Sequence, residues 1–169
     1  MARSITDRMM GAATLDVATY EEVEHDLTAT GQAAIVVTIA AVASAIGAAR
    51  EGGPGIIGML LGTLIGWALW SGITYFIGTR LFGGTATWGE LARTIGFAQA
   101  PGVLLFLAII PVLGGVVRFA VSIWLLITGI VAIRQALDVT TGKAVLTAVI
   151  GWLIAIIPAA IIGARLAVT

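Results

Sequence analysis

Long apolar runs, each closed by a short breaker or charged cluster, set the pattern of this chain. A helix rising 1.5 Å per residue needs about 20 apolar residues to cross a bilayer core of roughly 30 Å. Four runs meet that length and a fifth nearly does. The first, Gln32 to Ala49, closes at Arg50-Glu51 and the cluster GGPG; the second, Gly55 to Gly78, stops before Arg80. A third run, Pro101 to Val117, is interrupted by Pro111 and Gly114-Gly115. The fourth extends from Phe119 to Leu137, and the fifth from Ala144 to Leu166 with Pro158 inside it. These elements predict an all-α fold, a polytopic helical bundle of five transmembrane helices with a short amphipathic helical segment in front.

The third run decides the topology. Its stretch before the double glycine would reach only about 20 Å as an α-helix, so it spans only if its helix starts earlier. The connector from Leu81 to Gly102 allows this, because Leu91, Ile95 and Ala98 share one helical face while Glu90, Arg93 and Thr94 supply the other. A helix beginning near Trp88 and bending at Pro101 is favoured over a re-entrant hairpin. Pro101 has no amide hydrogen and disfavours helix at Ala100, with Gln99 beside it for exposed backbone groups. In the lead-in, Asp16 is positioned to cap a helix through Val17 to Asp26, with Met9, Met10, Leu15 and Tyr20 expected at headgroup level. The domain reading is therefore an N-terminal segment, 1–29, followed by a five-helix domain, 30–169.

Composition narrows the function classes. Apolar residues make up 59% of the 169 and charged residues 11%, which places the chain among integral membrane proteins. Nine basic and nine acidic residues cancel, so no basic field exists to hold nucleic acid. Cysteine is absent, which removes disulfides and thiolate chemistry. The first 26 residues contain no uninterrupted apolar stretch of the kind a cleavable secretory signal needs. With five crossings, Arg80, Arg93, Arg134 and Lys143 fall on the N-terminal side, joined by the more distant Arg3 and Arg8, against Arg50, Arg118 and Arg165 opposite. The positive-inside rule then puts the N-terminus in the cytoplasm. Arginine outnumbers lysine eight to one in an Ala/Gly/Val-rich chain, which suggests a bacterial source and an inner (cell) membrane location.

Candidate chemistry is sparse, and no catalytic, cofactor or metal residue is assigned. The single histidine, His25, has no second ligand at an evident metal spacing, and the Glu21, Glu22, Glu24 and Asp26 cluster reads as a solvated face. TTGKA at Thr140 to Ala144 lacks the residues of a phosphate loop and reads as a turn in which Thr140 or Thr141 caps the last helix. No ionisable residue lies well inside a span. Hydroxyls such as Thr38, Ser44, Ser71, Thr74, Ser122 and Thr128 either line a narrow polar path or bond back to their own helices. Two stripes of small residues, Gly58, Gly62 and Gly66 in the second run and Gly151, Ala155, Ala159 and Gly163 in the fifth, suit close helix packing, preferably within the monomer. Arg134 and Asp138 are four apart and positioned to pair across one helical turn.

From Thr87 to Val145 the chain resembles the bacterial branch of the Yip domain family, small five-span membrane proteins named for eukaryotic Ypt/Rab-interacting proteins. The matching features are Gly96-Phe97 followed by Gln99 and Pro101, the Pro111 break, Trp124, and the RQALDVTTGKA connector that starts at Arg134 and includes Asp138. The resemblance also covers TLDVATYEEVEHDLTATGQA before the first span. It implies a five-helix membrane protein with a cytoplasmic N-terminus. The Rab-binding role of eukaryotic relatives does not carry over, because the short lead-in lacks their longer cytoplasmic arm. The expected function is a non-enzymatic scaffold or accessory subunit whose partners are membrane lipids, other membrane proteins or a second copy; a narrow channel or small-solute transporter is the alternative.

Overall fold

A computed structural model describes the backbone of residues 3–51 and 55–166, and side chains through Ile154 apart from Glu51. The chain is all-helical over these residues. Two short helices come first, α1 (Ile5–Ala13) and α2 (Val17–His25), followed by α3 (Ala29–Ala48) and α4 (Ile56–Phe82). Next is α5 (Trp88–Phe97), which leads into a 3₁₀ segment, Ala100–Ile109, and then α6 (Leu113–Leu137) and α7 (Thr141–Leu166). Among the described residues α3, α4 and α6 are long and apolar enough to cross a membrane. The pair made by α5 and the 3₁₀ segment, bent by 41°, meets the same criterion together.

That bent pair runs beside α3 along its length. A Cβ placed on Gly96 would lie 2.7 Å from the Ala33 Cβ, and one on Gly102 would lie 3.1 Å from that of Ala40. A Cβ on Gly47 would collide with the Leu105 carbonyl oxygen. The order of these contacts makes the two elements parallel. Fourteen residues of α3, Ala33 to Gly47, cover about 21 Å at 1.5 Å each, while only nine residues separate Gly96 from Leu105. An α-helix of nine residues is too short to keep step, and the 3₁₀ rise of about 2.0 Å per residue supplies part of the difference. Pro101, at the first turn of the 3₁₀ segment, prevents the α-helix from continuing. The predicted start at Trp88 is observed, and the bend falls at Ala98-Gln99, just before the proline.

Small residues make this approach possible. Ala33, Ala40, Ala41, Ala43, Ala45 and Gly47 are all buried on α3. This third small-residue surface is the one against which the bent pair packs. Of the two stripes singled out from sequence, Gly151 packs within the monomer, because its Cβ would meet Ile73 and Trp70 at 3.2 and 3.3 Å. Gly58, Gly62 and Gly66 are exposed, and a Cβ on Gly62 or Gly66 meets nothing within 4 Å among the described residues. Among the described residues, Gly62 and Gly66 of this stripe thus meet no partner within the monomer. The side chains of Ala155 and Ala159, and the surroundings of Gly163, lie outside the described residues.

At one end, α1 and α2 close over the bundle. Ser4 forms a capping box with Asp7, which starts α1 in a stretch that has no apolar run to announce it. Asp16 caps α2 as expected, accepting from the Ala18 amide at 3.2 Å. Ala12, Tyr20 and Val23 are fully buried in one cluster with Leu91, Ile95, Phe97, Ile133 and Leu137. Tyr20 is therefore a core residue, not a headgroup residue, while Met10 and Leu15 stay exposed.

Gly47→Ala forces a methyl group against backbone that has no room to yield and is expected to cost about 1–3 kcal/mol, as overpacking does. Gly62→Ala should leave stability unchanged or slightly raised. Equilibrium unfolding of both variants in the same detergent measures the contrast, and equal losses would sink it.

Candidate functional site

The densest polar arrangement lies where α1 and α2 meet α3, α5 and α6. Its centre is Arg8, only 1% exposed. The Arg8 guanidinium donates to Glu22 Oε1 at 2.9 Å, to Asp26 Oδ2 at 2.6 Å and to Gln32 Oε1 at 2.8 Å. These bonds tie α1 to both ends of the α2–α3 connection. A buried guanidinium needs such a set, because its desolvation is offset only when its donors are satisfied. Asp26 is held down to about 2 by the Thr28 hydroxyl first and the Arg8 guanidinium next. Arg3 adds outer bonds to Asp16, Glu22 and Thr19.

A second buried arginine holds the same C-terminal end of α2 from the side of α5. Arg93 of α5 is 4% exposed and donates to the carbonyl oxygens of Val23 and Glu24. The last carbonyls of a helix lack intrahelical partners and carry the negative end of its dipole, so a cation there is well placed. Arg8 and Arg93 are both buried although neither belongs to a long apolar run. Neither could be paired from sequence, since the partners are 14 to 70 residues away.

Neighbouring contacts lock the hairpin to α6. Tyr20 donates its hydroxyl to the Ala12 carbonyl at 2.9 Å and lies 3.4 Å from that of Thr128, and burial pushes its phenol pKa well up. Trp124 Nε1 donates to the Ala13 carbonyl at 2.7 Å. Gln135 Nε2 donates to Glu21 Oε1 at 2.8 Å, while Gln135 Oε1 accepts from Arg134 Nε at 2.8 Å.

The expected pair of Arg134 with Asp138 is not formed. Asp138 caps α6 in the left-handed conformation, φ 53°, which turns it off the helical face that the spacing assumed. Its carboxylate accepts instead from the Thr85 hydroxyl at 3.1 Å, beside a bond from the Thr85 amide to the Leu137 carbonyl. The residue orders the α4–α5 connection. Thr140 takes the predicted cap of α7, at 3.5 Å from the Lys143 amide.

Gly96, Phe97, Gln99 and Pro101 lie together at the bend. Phe97 is fully buried, Gly96 admits Ala33, and Trp67 Nε1 donates to the Ala92 carbonyl at 2.9 Å. The side-chain amide of Gln99 makes no hydrogen bond among the described residues. Thr38, Ser71, Thr74 and Thr128 each donate to a carbonyl of their own helix, which is the packing alternative to lining a polar path.

The acidic end of α2 differs most from its sequence reading. Glu21, Glu24 and His25 each bring one potential ligand atom to within 4.8 Å of the other two. A helix puts residues i, i+3 and i+4 on one side, so His25 does have neighbours at ligand spacing. Glu24 is buried, and that burial, with the charge of Glu21 second, pushes its carboxyl up to about 7.

A family model for the Yip1 domain matches residues 17–162. The chain belongs to the Yip1 domain family. Comparison with curated proteins and with solved structures returns no match. The Yip1 match begins at the first residue of α2, so α2 and its contacts with α5 and α6 lie within the family's domain. Together with the apolar helices, membership makes this an integral membrane protein.

Arg8→Met keeps the stem but leaves Glu22, Asp26 and Gln32 without their shared donor, and is expected to cost about 1–3 kcal/mol in detergent unfolding. Acid should reproduce the loss. The Asp26 pKa is lowered from 3.8, so its contribution is complete above that value and disappears as pH falls through about 2. Protection factors of α1 amides, which remove the intrinsic pH dependence of exchange, should fall over that window.

Proposed function

We propose that this Yip1 domain protein is a non-enzymatic membrane scaffold or accessory subunit that binds other membrane proteins, or a second copy, through the outer face of α4. The observation that carries this is the state of that helix. Only 6% of its most apolar window is buried, and Ile57, Leu61, Ile65 and Leu69 project outward beside the open Gly62 and Gly66. Lipid tails are as apolar as these side chains, so helix association in a bilayer depends on close backbone approach, which exposed glycines permit. The alternative, a narrow channel, lacks comparable support, because hydroxyls suited to a path are engaged with their own helices.

In this reading the chain crosses five times, through α3, α4, the bent pair, α6 and α7, with the N-terminus in the cytoplasm of a bacterial cell. The excess of Arg80, Arg134 and Lys143 over Arg50 and Arg165 at the helix ends favours that orientation. The α1–α2 cap then faces the cytoplasm.

Native mass spectrometry after gentle detergent extraction is expected to retain a partner protein or a second copy, and Gly62→Ile with Gly66→Ile should release it while the monomer keeps its thermal stability. A strictly monomeric parent protein would refute the scaffold. For topology, cysteines introduced at Arg50 and Thr141 should label from opposite sides of the membrane; labelling from one side would overturn the five crossings.

A further inference from the structure

The C-terminal end of α2 gathers groups that its packing does not need. Glu24 Oε2 is enclosed and has no hydrogen-bond partner, although the residue is only 6% exposed. An enclosed carboxylate oxygen without a partner forfeits its hydration with no return, so the group is driven towards its protonated form unless a cation compensates it. Glu21 and His25 supply the adjacent positions of a ligand triangle. We propose that Glu21, Glu24 and His25 bind one divalent transition-metal ion at the junction of α2 with α5 and α6.

The dimensions suit this. A triangle with edges of 4.8 Å has its centre about 2.8 Å from each corner, and small side-chain rotations bring that to the ~2.0–2.2 Å of bonds from nitrogen and carboxylate oxygen to zinc. Supporting contacts are already in place. Glu21 is oriented by Gln135, itself held by Arg134, and His25 Nδ1 lies 2.8 Å from the Glu21 carbonyl oxygen, which pins the ring to the same turn. Such outer bonds commonly set the aim of metal ligands.

The surrounding charge also favours a cation. Glu90 and Asp138 act on Glu24 as further negative charges. The nearby cation, Arg93, spends its guanidinium on the Val23 and Glu24 carbonyls. One imidazole with two carboxylates suits manganese, iron or zinc in preference to magnesium or calcium, which take all-oxygen sets. His25 is exposed, so the remaining coordination positions open to water. Because Glu21 also binds Gln135 of α6, the ion would fasten the end of α2 to that helix.

The test uses the full chain, purified in detergent without a polyhistidine tag and stripped with chelator. Zn²⁺ is titrated by calorimetry and Mn²⁺ by electron paramagnetic resonance. One equivalent of ion is expected, with a rise in thermal midpoint. Glu24→Gln and His25→Ala should each weaken binding at least about tenfold. His25 is at the surface, so its variant keeps the fold, and circular dichroism verifies this for both. No binding at millimolar Zn²⁺ and Mn²⁺, or a bound ion whose affinity in both variants equals that of the parent protein, would overturn the site.

Discussion

Everything at the capped end of this molecule depends on how closely α3 and the bent pair approach. Where Gly96 admits Ala33 and Gly102 admits Ala40, two backbones run side by side with almost no side chain between them. In an apolar solvent this is a strong way to hold helices together, because dispersion between well-fitted surfaces replaces the hydrophobic drive. The approach buries α5 from Leu91 to Ala98, and that burial sets where Arg93 stands. Arg93 then receives the end of α2.

The cap has a different chemistry from the bundle beneath it. Alanine, glycine and valine pack α3, whereas α1 and α2 are held by two enclosed guanidinium groups and by tyrosine, tryptophan and glutamine bonds to α6. The two arginines do different things. Arg8 is satisfied by two carboxylates and an amide, so it joins segments that would otherwise repel through their acidic residues. Arg93 binds only neutral carbonyls, so its charge is balanced by a helix end rather than by a counter-ion. Such a cap depends on geometry more than on hydrophobicity.

Local signals were readable from the chain and distant ones were not. Length and hydropathy located α4 and most of α6, which begins at Leu113 and takes in the Gly114-Gly115 pair expected to break the third run; turn chemistry located the caps at Asp16 and Thr140, and helical-face spacing the start of α5 at Trp88. The α1 helix carried a signal too, Ser4 with Asp7, but no apolar run follows it. Arg134 and Asp138 looked like a pair because helical spacing was assumed to continue one residue too far. The packing face of α3 was hidden because alanine occurs nearly all round that helix, so no stripe stands out. The ligand triangle on α2 follows from helical spacing once the helix is drawn; the burial of Glu24, which distinguishes it from a solvated face, depends on the rest of the fold.

The bend between α5 and the 3₁₀ segment bears on how such a chain enters a bilayer. Its first half carries Glu90 and Arg93 and its second half is only ten residues, so neither half partitions into hydrocarbon by its own composition. Joined, the two halves are long enough and apolar enough, and the surface of α3 holds the bend between them. Hydropathy taken one segment at a time undercounts elements of this kind, because the pair reaches the length and hydropathy of a span only when its two halves are joined.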